Sequence, residues 1–274
     1  MRKSLWSNKP APHYRKKFLG QNFLNNKKIL GEMARAAELS KKDIVLEIGP
    51  GLGSLTEVLA ARAKKIIAIE KDGDLIPILR EKFRDYKNVE IIQGDILAKA
   101  VKPPLGGLTA KSSKIVANIP YYITSRFLRL FLSETKFRTK LMVLMVQKEV
   151  AERICAKPPR MNLLALSVQL YAKPEIIRKV SRGQFSPPPK VDSAIIKLTP
   201  YPQTSFPLTK GKWGASEEIA EKIITTAKLA FQQKRKMLRH SLKNHLRTYE
   251  VIKFGNKRPE ELSLKDWAEI LRYN

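Results

Sequence analysis

The sequence predicts a doubly wound α/β sheet followed by a small all-helical unit, and three observations carry that prediction. Five short runs rich in β-branched residues are continuous in apolar character, the pattern of strands buried on both faces as in a parallel sheet. Helical patterns separate these runs at the spacing of βαβ units. Beyond a cluster of prolines at Pro200, Pro202 and Pro207 the periodicity becomes helical, because proline cannot continue a sheet ladder and favours an extended connector.

The strands are residues 43–49 (DIVLEIG), 65–70 (KIIAIE), 89–95 (VEIIQGD), 115–120 (IVANIP) and 141–147 (LMVLMVQ). Between them the spacing predicts helices over 54–62, over 75–83 with Asp74 as N-cap, and over 124–132 capped by Thr124 or Ser125. Residues 148–155 read as a helix, and 161–172 fits either a strand or a buried helix. Residues 176–180 and 191–198 read as two more strands flanking the turn-rich segment 184–190, which gives a seven-stranded sheet. Residues 217–246 hold two helices or one long one, and 264–271 another. The expected organisation is a basic N-terminal arm over 1–42 packing on a sheet domain over 43–202, with a small helical domain over 203–274.

At 274 residues and 43% hydrophobic content the chain is long and apolar enough for one or two folded domains, which excludes disorder. Its 53 Lys and Arg against 25 Asp and Glu leave a net charge of +28. Such self-repulsion is tolerable mainly when a polyanion neutralises it, so nucleic acid leads as partner and an anionic membrane surface follows. The charge is no tail: residues 1–42 carry +9, 43–150 carry +6, 151–200 carry +6 and 201–274 carry +7. Residues 228–247 hold seven basic side chains and no acid. The single cysteine, Cys155, excludes an internal disulfide and a cysteine-based zinc site, and no metal is implied. Uncharged stretches reach 12 residues, as over 161–172, short of the roughly 18 of a membrane span. The opening MRKSLWSNKP lacks the apolar core of a signal peptide. A cytoplasmic protein with no membrane partner is expected.

Chemistry concentrates at the strand ends. Glu47-Ile-Gly49-Pro-Gly51-Leu-Gly53 closes the first strand and opens the first helix, where glycines let backbone approach a ligand and a helix N-terminus offers free N–H groups. Ser54 stands where a dinucleotide fingerprint has its third glycine, which counts against that fingerprint. Glu70 ends the next strand and can accept both ribose hydroxyls of an adenosine, a feature that fits NAD and S-adenosylmethionine equally. Gly94-Asp95 ends the third strand, with a carboxylate suited to the adenine amine. Two acids at successive strand ends favour an adenosyl ligand without a pyrophosphate; the bland alternative is that either acid caps the element that follows.

The fourth strand ends in Asn118-Ile-Pro-Tyr-Tyr-Ile. Adenine N6 is a poor nucleophile because its lone pair is delocalised into the ring. A site that attacks with it must accept hydrogen bonds from the amino group and hold the base in line with a methyl donor. The Asn118 side-chain oxygen and the Ile119 carbonyl can be those acceptors, with Tyr121 as stacking face and Pro120 stiffening the turn. Phe185-Ser-Pro-Pro-Pro-Lys forms a rigid extended loop that could hold Phe185 over a flipped base; otherwise Phe185 is a core aromatic. No general base of unusual pKa is required, since N6 once methylated is cationic and acidic. His13, His240 and His245 pair with no acid or cysteine in a catalytic pattern.

With these residues in view, the chain closely resembles the ribosomal small-subunit RNA adenine dimethyltransferases. KFLGQNFL (17–24), VLEIGPGLGSLTEVL (45–59), Glu70, Gly94-Asp95, NIPYYITS (118–125), QKEVAERI (147–154), FSPPPKVDSAI (185–195), FQQKRKMLRHSL (231–242) and RPEELSL (258–264) stand in that family's order over nearly the whole chain. The resemblance implies a Rossmann-like, seven-stranded class I methyltransferase domain with a small C-terminal all-α domain. It implies transfer of methyl groups from S-adenosylmethionine to N6 of two adjacent adenines in a hairpin loop near the 3′ end of 16S rRNA. It implies cofactor contacts at Asn22, Leu24, Gly49, Gly51, Glu70, Asp95 and Asn118, target-base positions at Asn118, Tyr121 and Phe185, and RNA contacts at Lys234, Arg235, Lys236 and Arg239. Expected partners are small-subunit rRNA and the partly assembled 30S subunit, met by a monomer. Two departures stand out: Asn-Ile-Pro-Tyr-Tyr where many bacterial members resemble Asn-Leu-Pro-Tyr-Asn, and an AKPPRMNLL segment (156–164) lacking the usual Gly and Tyr. The alternatives are a large-subunit rRNA adenine methyltransferase conferring antibiotic resistance and a non-catalytic rRNA-binding assembly factor. An NAD dehydrogenase is disfavoured, because no residue is suited to hydride chemistry.

Overall fold

The computed structural model describes residues 22–24, 26–98, 113–134, 139–202, 217–243 and 252–272. The arm up to residue 21, Pro207, His13, His245 and Arg247 lie outside the described residues. Strand β1 (Phe23–Leu24) leads to α1 (Lys27–Ala36), whose amides at Lys28 and Ile29 are taken by the Asn26 side chain. There follow β2 (Ile44–Ile48), α2 (Ser54–Ala60), β3 (Lys65–Glu70), α3 (Ile76–Lys82), β4 (Val89–Gln93), β5 (Ser113–Asn118), α4 (Thr124–Arg129) and β6 (Leu141–Gln147). Next come α5 (Lys148–Ile154), α6 (Leu163–Gln169), β7 (Ala172–Val180), β8 (Phe185–Ser186) and β9 (Ser193–Pro200), then α7 (Glu217–Gln232), α8 (Leu238–Ser241) and α9 (Leu264–Arg272).

Seven strands form one sheet in the order β4-β3-β2-β5-β6-β9-β7. Neighbours from β4 to β6 run parallel, while β9 is antiparallel to both β6 and β7. The strand order reverses between β2 and β5, and the crevice beyond the carboxyl ends at such a reversal is where open α/β sheets bind ligands. The apolar runs are continuous because both faces are covered. Leu46, Ile48, Ile115, Leu144 and Val146 pack on one side with Phe127 and Leu166. Val45, Ile66, Val116, Val143 and Met145 pack on the other with Leu30, Met33 and Leu59.

Local chemistry shifts several boundaries. Asp72, not Asp74, is the cap ahead of α3: its carboxylate accepts from Asp74 N at 3.2 Å and opens a 3₁₀ turn over Gly73–Leu75. Neither Thr124 nor Ser125 caps α4, because a 3₁₀ turn over Tyr121–Ile123 feeds straight into it and the preceding carbonyls take the first amides. The ambiguous segment 161–172 is α6, capped by Asn162 accepting from Ala165 N at 3.0 Å. Strand β7 begins at Ala172 and contains Pro174, which the sheet tolerates because β7 is an edge strand.

Helix α7 buries Ala220, Ile223, Ala227 and Ala230 in the same apolar cluster as Leu166 of α6 and Trp267 and Ile270 of α9. A backbone bond from Met161 N to Glu260 O at 3.0 Å joins the two parts of the chain.

Candidate active site

The carboxyl ends of β2, β3, β4 and β5 open on a cavity of about 330 Å³. Its wall is completed by residues 22–24, which are held there by sheet pairing of β1 with β8, Phe23 opposite Ser186 and Leu24 opposite Phe185. Asn26 adds a bond from Nδ2 to Gln184 Oε1 at 2.6 Å.

The glycine turn after β2 is left-handed at Gly49, Gly51 and Gly53, and its glycines answer different demands. A Cβ on Gly53 would lie 2.5 Å from Phe83 Cε2, and one on Gly51 2.9 Å from Phe23 Cε1, so packing excludes a side chain at both. At Gly49 the nearest neighbour is Pro120 Cδ at 3.8 Å, and the residue borders the cavity. Gly51 borders the cavity as well, so a ligand can approach the backbone at both. Gly53→Ala is expected to destabilise the fold by about 2 kcal/mol through φ strain and overpacking, seen as a lowered urea midpoint.

Glu70 fixes this turn. Its Oε2 accepts from Gly51 N at 3.1 Å and its Oε1 from Asp72 N at 2.8 Å. Burial raises its pKa above the ordinary value, opposed by these same backbone bonds. With the Lys71 amide also donating, the carboxylate keeps acceptor capacity among its roughly four lone-pair sites for a ribose hydroxyl. Asp95 accepts from Leu97 N at 2.9 Å and pairs with Lys71 Nζ at 2.9 Å. Burial pushes its pKa up, but the Leu97 amide and the Lys71 ammonium outweigh it, and the carboxyl is held below its usual range.

Asn118 donates from Nδ2 to the Asn22 carbonyl at 3.1 Å. A carbonyl can only accept, so this bond fixes which end of the amide points where. No described residue donates to Asn118 Oδ1 or to the Ile119 carbonyl, and both residues border the cavity. Two acceptors are therefore available at the end of β5. Beside them Tyr121 is held by its hydroxyl against Ser193 Oγ at 2.6 Å, and burial raises its pKa, so the phenol stays neutral.

Phe185 is not brought to the cavity. It is 4% exposed, stands in the β1–β8 pair opposite Leu24 and shares an apolar cluster with Leu24, Met145 and Ile195. Its position matches a core aromatic supporting residues 22–24 rather than an open stacking face. Lys234, Arg235 and Lys236 form an exposed turn between α7 and α8, and none of the three has an acidic partner among the described residues. Arg239 is exposed but tied to Asn256 Oδ1 at 2.6 Å.

Sequence reasoning assigns nothing to Glu47, Lys71, Arg126 or Ser193. Glu47 is the sharpest omission: it is 1% exposed, borders the cavity, and its Oε2 has no hydrogen-bond partner among the described residues. Burial pushes its pKa up to about 8, opposed by the neighbouring Thr56 hydroxyl and reinforced by the nearby Glu70 charge. The signal is present as one acid inside the otherwise apolar run IVLEI. Three acids around one cavity of a strongly basic chain, one of them with an orphaned oxygen, fit a cationic adenosyl ligand such as S-adenosylmethionine.

The model of the family described as ribosomal RNA adenine dimethylase matches residues 13–273. The chain belongs to that family. The dimethylase-family chain is 42% identical over 264 residues to ribosomal RNA small subunit methyltransferase A of Dehalococcoides mccartyi (strain CBDB1), covering 93% of this chain and 87% of that protein. It is 44% identical over 232 residues to the protein of the same name from Clostridium botulinum (strain Loch Maree / Type A3), covering 83% and 79%. Among solved structures it is similar to a dimethyladenosine transferase from Plasmodium falciparum, with a TM-score of 0.74 and 29% identity over 92% of this chain and 96% of that one. The 23S rRNA methyltransferase ErmE gives 0.73 and 28% over 92% and 98%. The two superpose equally well, so the fold alone does not decide which rRNA this dimethylase-family member modifies.

Proposed function

We propose that the chain transfers methyl groups from S-adenosylmethionine to N6 of two adjacent adenines in the 3′ hairpin loop of 16S rRNA, two on each, during small-subunit assembly. The observation that carries this reading is the pair of unfilled acceptors, Asn118 Oδ1 and the Ile119 carbonyl, beside Glu70 and Asp95 in one cavity. The higher identity to small-subunit enzymes favours 16S over 23S rRNA as substrate.

When bound, the cofactor supplies an electrophilic methyl group on a sulfonium. Glu70 and the turn at Gly49–Gly51 would hold its ribose and backbone-facing side, Asp95 its adenine amine, and residues 22–24 with Glu47 the remaining wall. Asn118 Oδ1 and the Ile119 carbonyl would accept the N–H bonds of the target N6, two before the first transfer and one before the second, and draw the nitrogen toward tetrahedral geometry, while the proton of the cationic methylated N6 leaves to water. Tyr121, anchored by Ser193, gives the flipped base its stacking face.

Lys234, Arg235 and Lys236 supply backbone contacts to the RNA of a partly assembled 30S subunit, which the protein meets as a monomer in the cytoplasm. Among the described residues no helix is long and apolar enough to cross a membrane. Neutralising all three cations is expected to lower the dependence of log affinity on log salt by about 2, at roughly 0.7–0.9 for each phosphate no longer neutralised. An unchanged slope in titrations at several ionic strengths would assign the binding charge elsewhere. The test of the whole reading is incubation with labelled S-adenosylmethionine and undermethylated small subunits. Dimethyladenosine in the 3′ hairpin is expected, and its absence, or a mark on 23S rRNA instead, would overturn the reading.

A further inference from the structure

The two consecutive tyrosines of the β5–α4 turn face different neighbours. Tyr121 is anchored to Ser193 of β9, whereas Tyr122 is 59% exposed at the edge of the same cavity. They share a 3₁₀ turn, in which successive side chains point about 120° apart, so one base cannot stack on both. Lys71, which pairs with Asp95, borders the same cavity mouth as Tyr122.

Four residues on, Arg126 continues that exposed face and also borders the cavity. Its neighbour Arg129 is neutralised by Glu134 at 2.7 Å. Arg126 has no carboxylate within ion-pair distance among the described residues: it acts on Asp95 only at longer range, and its guanidinium reaches the Leu97 carbonyl at 3.5 Å. An open aromatic ring followed at one helical turn by an unpaired guanidinium is the pairing that takes one nucleotide, ring to base and cation to phosphate.

We propose that Tyr122 and Arg126 form a nucleotide subsite at the cavity mouth: Tyr122 stacks the base next to the one presented to Asn118, and Arg126 binds a phosphate of the same strand. The inference rests on the reading of the chain as an rRNA adenine dimethyltransferase. It adds a reason why adjacent adenines suit this site, since the base waiting its turn is held within one nucleotide of the acceptors.

The test compares the wild type with Tyr122→Ala, Tyr122→Phe and Arg126→Gln on undermethylated small subunits, with S-adenosylmethionine affinity measured separately by calorimetry. Tyr122→Ala is expected to raise KM for the subunit about 5- to 100-fold, the scale of removing one base–aromatic stack. Tyr122→Phe should stay within about twofold of wild type, because the ring and not the hydroxyl stacks. Arg126→Gln should lower the salt slope by about 0.7, the increment of one phosphate. Cofactor affinity should be preserved in the tyrosine variants, which also reports that they fold. A wild-type KM in Tyr122→Ala overturns the subsite, and a parallel loss of cofactor affinity reassigns Tyr122 to the adenosyl pocket. Failure of the underlying functional reading looks different, since the wild type itself would then leave the 3′ hairpin unmodified.

Discussion

Asn118→Ala is expected to slow methyl transfer by about 100- to 1,000-fold, the scale of removing one preorganised polar contact to a transition state. Binding of subunits and of S-adenosylmethionine should change by no more than a few fold. The asymmetry follows from what the side chain does at each end. Nδ2 is committed to the Asn22 carbonyl, so Oδ1 is held in place before substrate arrives and needs no reorganisation during reaction. The contact gains strength only as N6 acquires positive charge, and so appears in kcat rather than in affinity. Asn118→Asp keeps acceptor oxygens but sets a carboxylate against the Asn22 carbonyl, and should fall between wild type and alanine. Single-turnover rates with undermethylated subunits, alongside filter binding, separate the two quantities. Undiminished turnover in the alanine variant would move the acceptor role to another residue.

The same hydrogen bond marks the boundary of what the sequence makes legible. The sheet is readable because burial on both faces requires apolar residues at every position, so a run such as LMVLMVQ announces itself without reference to anything distant. The strand-end acids and Asn118 are readable because they stop such runs. Asn22 and Leu24 are different. They reach the cavity through pairing of a two-residue strand with Phe185–Ser186, more than 150 positions away in a chain of 274, and no periodicity exists in two residues. The same pairing accounts for Phe185, whose proline-rich surroundings suggest an open platform but which is buried in one apolar cluster with its register partner Leu24. The cap ahead of α3 is hidden for a related reason. Asp72 and Asp74 are equivalent by type, and only the 3₁₀ turn between them decides which carboxylate meets a free amide. Glu47 stands at the head of the glycine motif without a legible role, because composition shows an acid but not whether water reaches it.

Glu47→Gln is expected to make the protein more stable than wild type, by a margin that grows with pH. In the folded state burial raises the Glu47 pKa to about 8, against an ordinary value of 4.5 in the unfolded chain. The folded protein therefore binds more protons at this position than the unfolded chain between those values. A raised carboxyl pKa contributes stability that is fully present below the unfolded value and is lost as pH rises through the folded one. Between pH 5.5 and 8.5 the wild type should lose about 3 kcal/mol relative to the Glu47→Gln variant, whose amide fills the same volume without a proton to give up. Titrating groups that do not interact with Glu47 cancel in the difference between two proteins that share them, whereas the repulsion between Glu47 and Glu70 is part of what the difference reads. Urea midpoints of both proteins at the two pH values measure the effect, and a constant difference would mean that water reaches the carboxyl. The orphaned Oε2 ties this instability to function. A carboxyl kept neutral by burial becomes an anion when a cation enters the cavity beside it. Binding of S-adenosylmethionine near pH 7 should then release up to about one proton, read from calorimetry in buffers of different ionisation enthalpy. In Glu47→Gln that release should disappear, and affinity should lose its rise with pH.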